Sequence, residues 1–151
     1  MWEGFLDTMS TIAEWKGRFR DHDKTLLQGK TAKDILEAKK KYSITNNTKN
    51  IVCGISASGP TKRWDINNYI RLFEKLNDRY KSIFFLAGGS KDEELIKKIM
   101  NSRIGKNCLS FSKMKLSEAM PIIAASQYYI GNDTGWGHIA SGLGLKSLFL
   151  F

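Results

Sequence analysis

The stretch QYYIGNDTGWGHIASGLG, residues 127–144, changes character in its middle. QYYIGN (127–132) is aromatic and β-branched, as a short buried strand requires. TGWGHIASGLG, from Thr134 on, is rich in small residues and spaced for a helix that packs tightly on a sheet. KSLFLF (146–151) then reads as another strand. Strand, helix and strand in so few residues imply a crossover between parallel strands.

The same alternation runs upstream. IVCGIS (51–56) is a short buried strand. Asp65 can cap a helix that carries Ile66, Tyr69, Ile70, Phe73 and Leu76 on one face. SIFFLAGG (82–89) is a strand ending in two glycines, and 91–100 a helix with acids early and lysines late, as the helix dipole prefers. NCLSF (107–111) is a further strand. Residues 117–126 form a short helix, with Pro121 in its first turn or at a kink. The sum is an α/β fold: a parallel sheet with helices on both faces.

Residues 1–50 read differently. Trp2, Phe5, Leu6, Met9, Ile12 and Ala13 sit at helical spacing within 1–19, and 20–30 is a polar connector. TAKDILEAKKKY begins at Thr31, which with Asp34 resembles a capping box, and its lysines gather at the C-terminal end. TNNTKN (45–50) is a turn-rich linker. The expected organisation is a helical N-terminal segment and linker over 1–50, then the α/β unit over 51–151. The last strand has no closing helix, so that unit is read as truncated at its C-terminal end.

With 151 residues, 42% of them hydrophobic and 26% charged, the chain has the composition of a soluble globular domain rather than a disordered one. No apolar run approaches the ~20 residues a membrane helix needs. Glu3, Asp7 and Glu14 break up any secretory signal, which makes the cytoplasm the expected compartment. Cys53 and Cys108 lie in separate apolar strands without a C-x-x-C pattern, so they read as small buried hydrophobes. The net charge of +9 admits nucleic acid, an anionic membrane surface or phosphorylated small molecules as partners. The lysines are scattered and no nucleic-acid-binding signature occurs, so nucleic acid is not expected. Peripheral contact with an anionic membrane is compatible with the charge.

In parallel sheets, ligands sit beyond the carboxyl ends of the strands. That rule selects loops 56–64, 88–92 and 131–138. In GISASGPTKRW (54–64), Gly54 and Gly59 have the interval of a Walker A loop, but Pro60 stands where its lysine belongs and Lys62 comes two residues late. Ser56, Ser58, Thr61 and Lys62 still offer hydroxyls and a cation. Lys62 is the strongest candidate for a phosphate, since charge-assisted hydrogen bonds exceed neutral ones. Arg63 serves the same anion or an exterior salt bridge, and Trp64 reads as a packing anchor. Asp92, Glu93 and Glu94 either satisfy the helix dipole or supply an acceptor for ribose hydroxyls. At Thr134 and Gly135 a helix start offers unpaired N–H groups to an anion. Asp133 either caps that helix or accepts from sugar hydroxyls, and His138 lies one turn in on the same face.

Together, G-x-S-x-x-x-T-K-R-W, a strand ending in GG before an acid-rich helix start, and GNDTG-x-x-H-x-A-x-x-x-G resemble the C-terminal half of glycosyltransferase family 9, the ADP-heptose:lipopolysaccharide heptosyltransferases. The resemblance covers 51–151. It implies a Rossmann-like domain, one half of a GT-B fold, in a metal-independent inverting transferase without a cofactor, its donor an ADP-sugar. It further implies that Thr61 and Lys62 contact the diphosphate, that Asp133 holds sugar hydroxyls, that Thr134 and Gly135 present N–H groups, that His138 lies against the donor, and that Glu94 takes the ribose. Lys62, Asp133 and His138 are then the catalytic set, with Ser56 and Ser58 completing the donor site. The acceptor, a lipid-linked oligosaccharide of the lipopolysaccharide-core type, and its activating base belong in such enzymes to an N-terminal domain. Trp136 and Pro121 depart from the family pattern at the donor pocket. The alternative expectation is a non-catalytic nucleotide-binding module or a degenerate fragment of such an enzyme.

Overall fold

A computed structural model of the chain describes residues 24–57 and 59–150. The helix expected within 1–19 and the hydroxyl of Ser58 lie outside the described residues.

Helix α1 (Lys24–Lys41) leads into strand β1 (Lys49–Gly54), helix α2 (Ile66–Arg79), strand β2 (Ser82–Ala87) and helix α3 (Glu93–Met100). Strand β3 (Cys108–Ser110), helix α4 (Leu116–Ala125), strand β4 (Tyr128–Asn132), helix α5 (Gly135–Gly142) and strand β5 (Lys146–Leu150) follow. The strands form a five-stranded sheet in the order β3-β2-β1-β4-β5. Every neighbouring pair is parallel, as the strand–helix alternation requires.

Alternation along each strand divides the core into two layers. Ile51, Cys53, Phe84 and Leu86 meet Ile66, Tyr69 and Phe73 of α2 and Ile96 and Ile99 of α3 on one face. Val52, Phe85, Ala87 and Tyr129 meet Ala119, Ile122 and Ile123 of α4 and Ala140 of α5 on the other, where Ala38 of α1 also packs. Phe73 and Phe84 stack with ring centroids 4.4 Å apart and no exposed surface. Burying such a side chain contributes about 1.5–3 kcal/mol. The expected face of α2 holds: Ile66, Tyr69 and Phe73 are buried, with Ile70 and Leu76 packed against them.

Several features differ from the sequence expectation. Helix α1 is described from Lys24 on, so most of the connector expected over 20–30 is helical and Thr31 lies inside the helix rather than at its start. Gly29 costs a helix only about 1 kcal/mol, which does not break a helix whose later turns are held by packing. Strand β1 begins two residues early because Asn50 is buried and its amide is satisfied: Nδ2 donates to the Thr48 carbonyl at 3.1 Å and to Gln127 Oε1 at 3.1 Å. Pro121 sits in the second turn of α4 rather than its first, where it withholds the N–H that Ser117 would accept.

Candidate functional site

The crossover from β1 to β2 passes over one face of the sheet through α2. The crossover from β4 to β5 passes over the other through α5. The switch point is therefore where β1 meets β4, and in such sheets ligands sit beyond the carboxyl ends of these strands. There Gly54 and Gly131 stand side by side in register. A methyl group on Gly54 would land on the Tyr129 hydroxyl, and one on Gly131 would land on the Gly54 backbone. This close approach is what glycine permits at these two positions.

Asn132, the last residue of β4, is 1% exposed. Its Oδ1 accepts from the Trp64 N–H at 3.1 Å and from the Tyr69 hydroxyl at 3.1 Å. Its Nδ2 donates to the carbonyls of Ile55 at 3.1 Å and Ser56 at 3.3 Å. The loop after β1 and the loop after β4 are thereby joined. The third loop joins through Arg63, whose Nη2 lies 3.2 Å from Asp92 Oδ1. The other Asp92 oxygen accepts from the Gly89 N–H at 3.0 Å. All three loops chosen from the sequence therefore meet at one edge of the sheet.

Within this frame the predicted residues take distinct places. Pro60–Lys62 form a single 3-10 turn in which the Lys62 N–H donates to the Gly59 carbonyl at 3.1 Å. Thr61 and Lys62 are exposed and Ser56 is half-buried. Helix α2 starts only at Ile66, with the Asp65 side chain accepting from the Asn67 N–H at 2.8 Å. The lysine thus precedes a separately capped helix, unlike a Walker lysine, which enters its helix directly. The Arg63 salt bridge is internal rather than exterior, since the Asp92 side chain is only 4% exposed. Trp64 packs edge-on against Tyr69, with centroids 4.9 Å apart at 84°. The three acids separate: Asp92 is buried, Glu93 half-buried and Glu94 exposed in the first turn of α3.

Asp133 does not cap α5. The cap position is Thr134, which makes no side-chain cap hydrogen bond. Asp133 instead pairs with His138, Oδ1 to Nε2 at 3.0 Å. An ionised carboxylate only accepts, so Nε2 carries the hydrogen. Behind them the Tyr129 hydroxyl donates to the Asn132 carbonyl at 2.8 Å and lies 3.4 Å from Thr134 Oγ1. Burial pushes the Tyr69 and Tyr129 hydroxyls well above the usual phenol range, so both act as neutral hydrogen-bond groups. Among the described residues no cluster of three His, Cys, Asp or Glu side chains forms a metal site. A groove of about 460 Å³ lies at the opposite, amino ends of the strands, between Lys49, Tyr80, Tyr128 and Lys146. It holds none of the predicted residues.

A doubly wound parallel sheet whose loops converge at its switch point defines a Rossmann-like domain. The chain belongs to glycosyltransferase family 9 (heptosyltransferase), whose profile matches residues 14–151. It is 30% identical over 103 residues to lipooligosaccharide heptosyltransferase 2 of Haemophilus influenzae, covering 66% of this chain and 30% of that protein. It therefore spans about a third of the relatives it matches. The Escherichia coli ADP-heptose LPS heptosyltransferase II structure superimposes with a TM-score of 0.67 at 25% identity, over 78% of this chain and 37% of that one. The structure of E. coli heptosyltransferase WaaC with ADP aligns at 0.58 and 20% identity, over 69% and 34%. The fold is thus one half of the GT-B arrangement of these heptosyltransferases.

Sequence reasoning missed Asn132, Tyr69, Tyr129 and the pairing of Asp92. The available signal for Asn132 was an amide closing an otherwise apolar strand, where a buried polar group must find partners.

Proposed function

We propose that the chain binds an ADP-linked sugar, heptose foremost, as the donor half of an inverting transferase acting on a lipopolysaccharide-core-type acceptor. The observation that carries this reading is the joining of the β1 and β4 loops at Asn132. It brings Thr61 and Lys62 to the same sheet edge as the Asp133–His138 pair. Family membership and the ADP named with the E. coli WaaC structure support the choice of nucleotide.

In this reading 51–151 is the donor-binding unit. Lys62 and the N–H groups of Thr134 and Gly135 receive the diphosphate, with Ser56, Ser58 and Thr61 beside it. Glu94 accepts from the ribose. Asp133 and His138 hold the sugar. As the glycosidic bond breaks, negative charge grows on the leaving diphosphate. Lys62 and the start of α5 offset it without a metal ion, as donors fixed before the reaction. The acceptor hydroxyl and its base belong to the other half of the two-domain fold, at the cytoplasmic face of an anionic membrane.

Calorimetry with ADP tests the reading. Lys62→Ala should lower affinity about 10- to 150-fold, the equivalent of about 1.5–3 kcal/mol for one charge-assisted bond. Equal affinity of the two proteins removes Lys62 from the site.

A further inference from the structure

Asn132 is too buried to touch a ligand, at 1% exposure, yet all four of its hydrogen-bonding valences are engaged. Two go to the beginning of the loop after β1, the carbonyls of Ile55 and Ser56. One goes to the end of that loop, the N–H of Trp64. The last is met by Tyr69, whose single hydrogen is shared between Asn132 Oδ1 and the Gly54 carbonyl, 3.2 Å away. A single side chain on β4 therefore pins both ends of a loop whose exposed middle carries Thr61 and Lys62. The same residue's backbone carbonyl is held by Tyr129 at 2.8 Å, one residue before Asp133.

We infer that Asn132 is a positioning residue: it sets the place of Lys62 relative to the Asp133–His138 pair and so fixes the gap in which a diphosphate lies. This rests on the donor-site reading above. Satisfied buried networks specify one geometry, and a half-satisfied network does not. Loss of positioning by about an ångström can cost about a hundredfold in function.

The test compares the full chain with Asn132→Asp, which keeps the shape and the acceptor but replaces the two-hydrogen amide nitrogen with one oxygen that faces both carbonyls. Two readouts separate positioning from plain stability, both taken where circular dichroism shows the variant folded. Amide exchange over 59–64 should rise about tenfold or more while β2 amides stay protected. ADP affinity should fall about tenfold or more in the wild-type background, yet change less than about twofold in a Lys62→Ala background, because the two residues act as one unit. An equal loss in both backgrounds, or unchanged exchange over 59–64, overturns the inference. Tyr69→Phe removes one bond of the same network and should move both readouts in the same direction by less. It decides the matter if Asn132→Asp does not fold. Absence of ADP binding by the wild-type chain refutes the nucleotide reading alone, and the exchange readout still decides whether Asn132 holds the loop.

Discussion

Asp92→Ala probes the joint between the first two loops. The wild-type carboxylate, 4% exposed, accepts from Arg63 at 3.2 Å and from the Gly89 N–H at 3.0 Å. Breaking a fully buried ion pair costs about 3–5 kcal/mol. Here Arg63 remains 30% exposed and can turn back to water, which lowers the figure. Arg63 Nε is also buried without a partner, so the pair is imperfectly satisfied from the start. The lost Gly89 bond, a neutral donor to a charged acceptor, is worth about 1.5–3 kcal/mol. Together these place Asp92→Ala at about 2–4 kcal/mol of destabilisation. Asp92→Asn can still accept from one partner and should lose about half as much. Glu94→Ala, an exposed acid two residues away, should stay within about 0.5 kcal/mol of wild type. Urea unfolding followed by circular dichroism measures all three. Raising the salt concentration should change the Asp92→Ala difference little, because the carboxylate lies out of reach of mobile ions. Equal losses for Asp92→Ala and Glu94→Ala would refute the argument, since both would then act only through the helix dipole.

Two further outcomes follow from packing and burial. Gly54→Ala should destabilise by about 1–3 kcal/mol as its methyl displaces the Tyr129 hydroxyl, whereas Gly59→Ala, with nothing within 4 Å of the added carbon, should be near neutral; a thermal melt compares them, and equal melting temperatures would contradict the close approach of β1 and β4. Burial pushes the Cys108 thiol up from 9.0 to about 12, so its stabilisation is complete below the unfolded value and is lost as pH rises from there through the folded value. Urea midpoints should fall between pH 9 and 12, less steeply in Cys108→Ala, and a midpoint slope that ignores the substitution would contradict the shift.

The strands were legible because each is a short apolar run ended by glycine or a polar turn, and their alternation with helices fixed parallel pairing. Helix starts were legible where a side chain caps them, as at Asp65. The turns of α1 before Thr31 were not, because Gly29 and its polar neighbours resemble a break and only packing of the later turns overrides them. Strand β1 hid its first residues because Asn50 reads as a turn former until its partners are known. At the site, the three loops were visible from the strand-end rule, but their joints were not. Asp92, Glu93 and Glu94 are alike in sequence, and only the position of Arg63 makes Asp92 internal. Asn132 opens the NDTG motif, yet its role depends on carbonyls and an N–H some seventy residues away, which no local pattern encodes.

The central claim is that the loops at the carboxyl ends of β1 and β4 take a nucleotide diphosphate. Titrating ADP into the ¹⁵N-labelled chain and following its amide resonances tests this most directly. The account predicts saturable shifts gathered over 55–64 and 132–138, which need about 10- to 150-fold more ADP in Lys62→Ala. Shifts gathered instead around Lys49, Tyr80, Tyr128 and Lys146 at the amino ends of the strands, or no shifts at all, would contradict it.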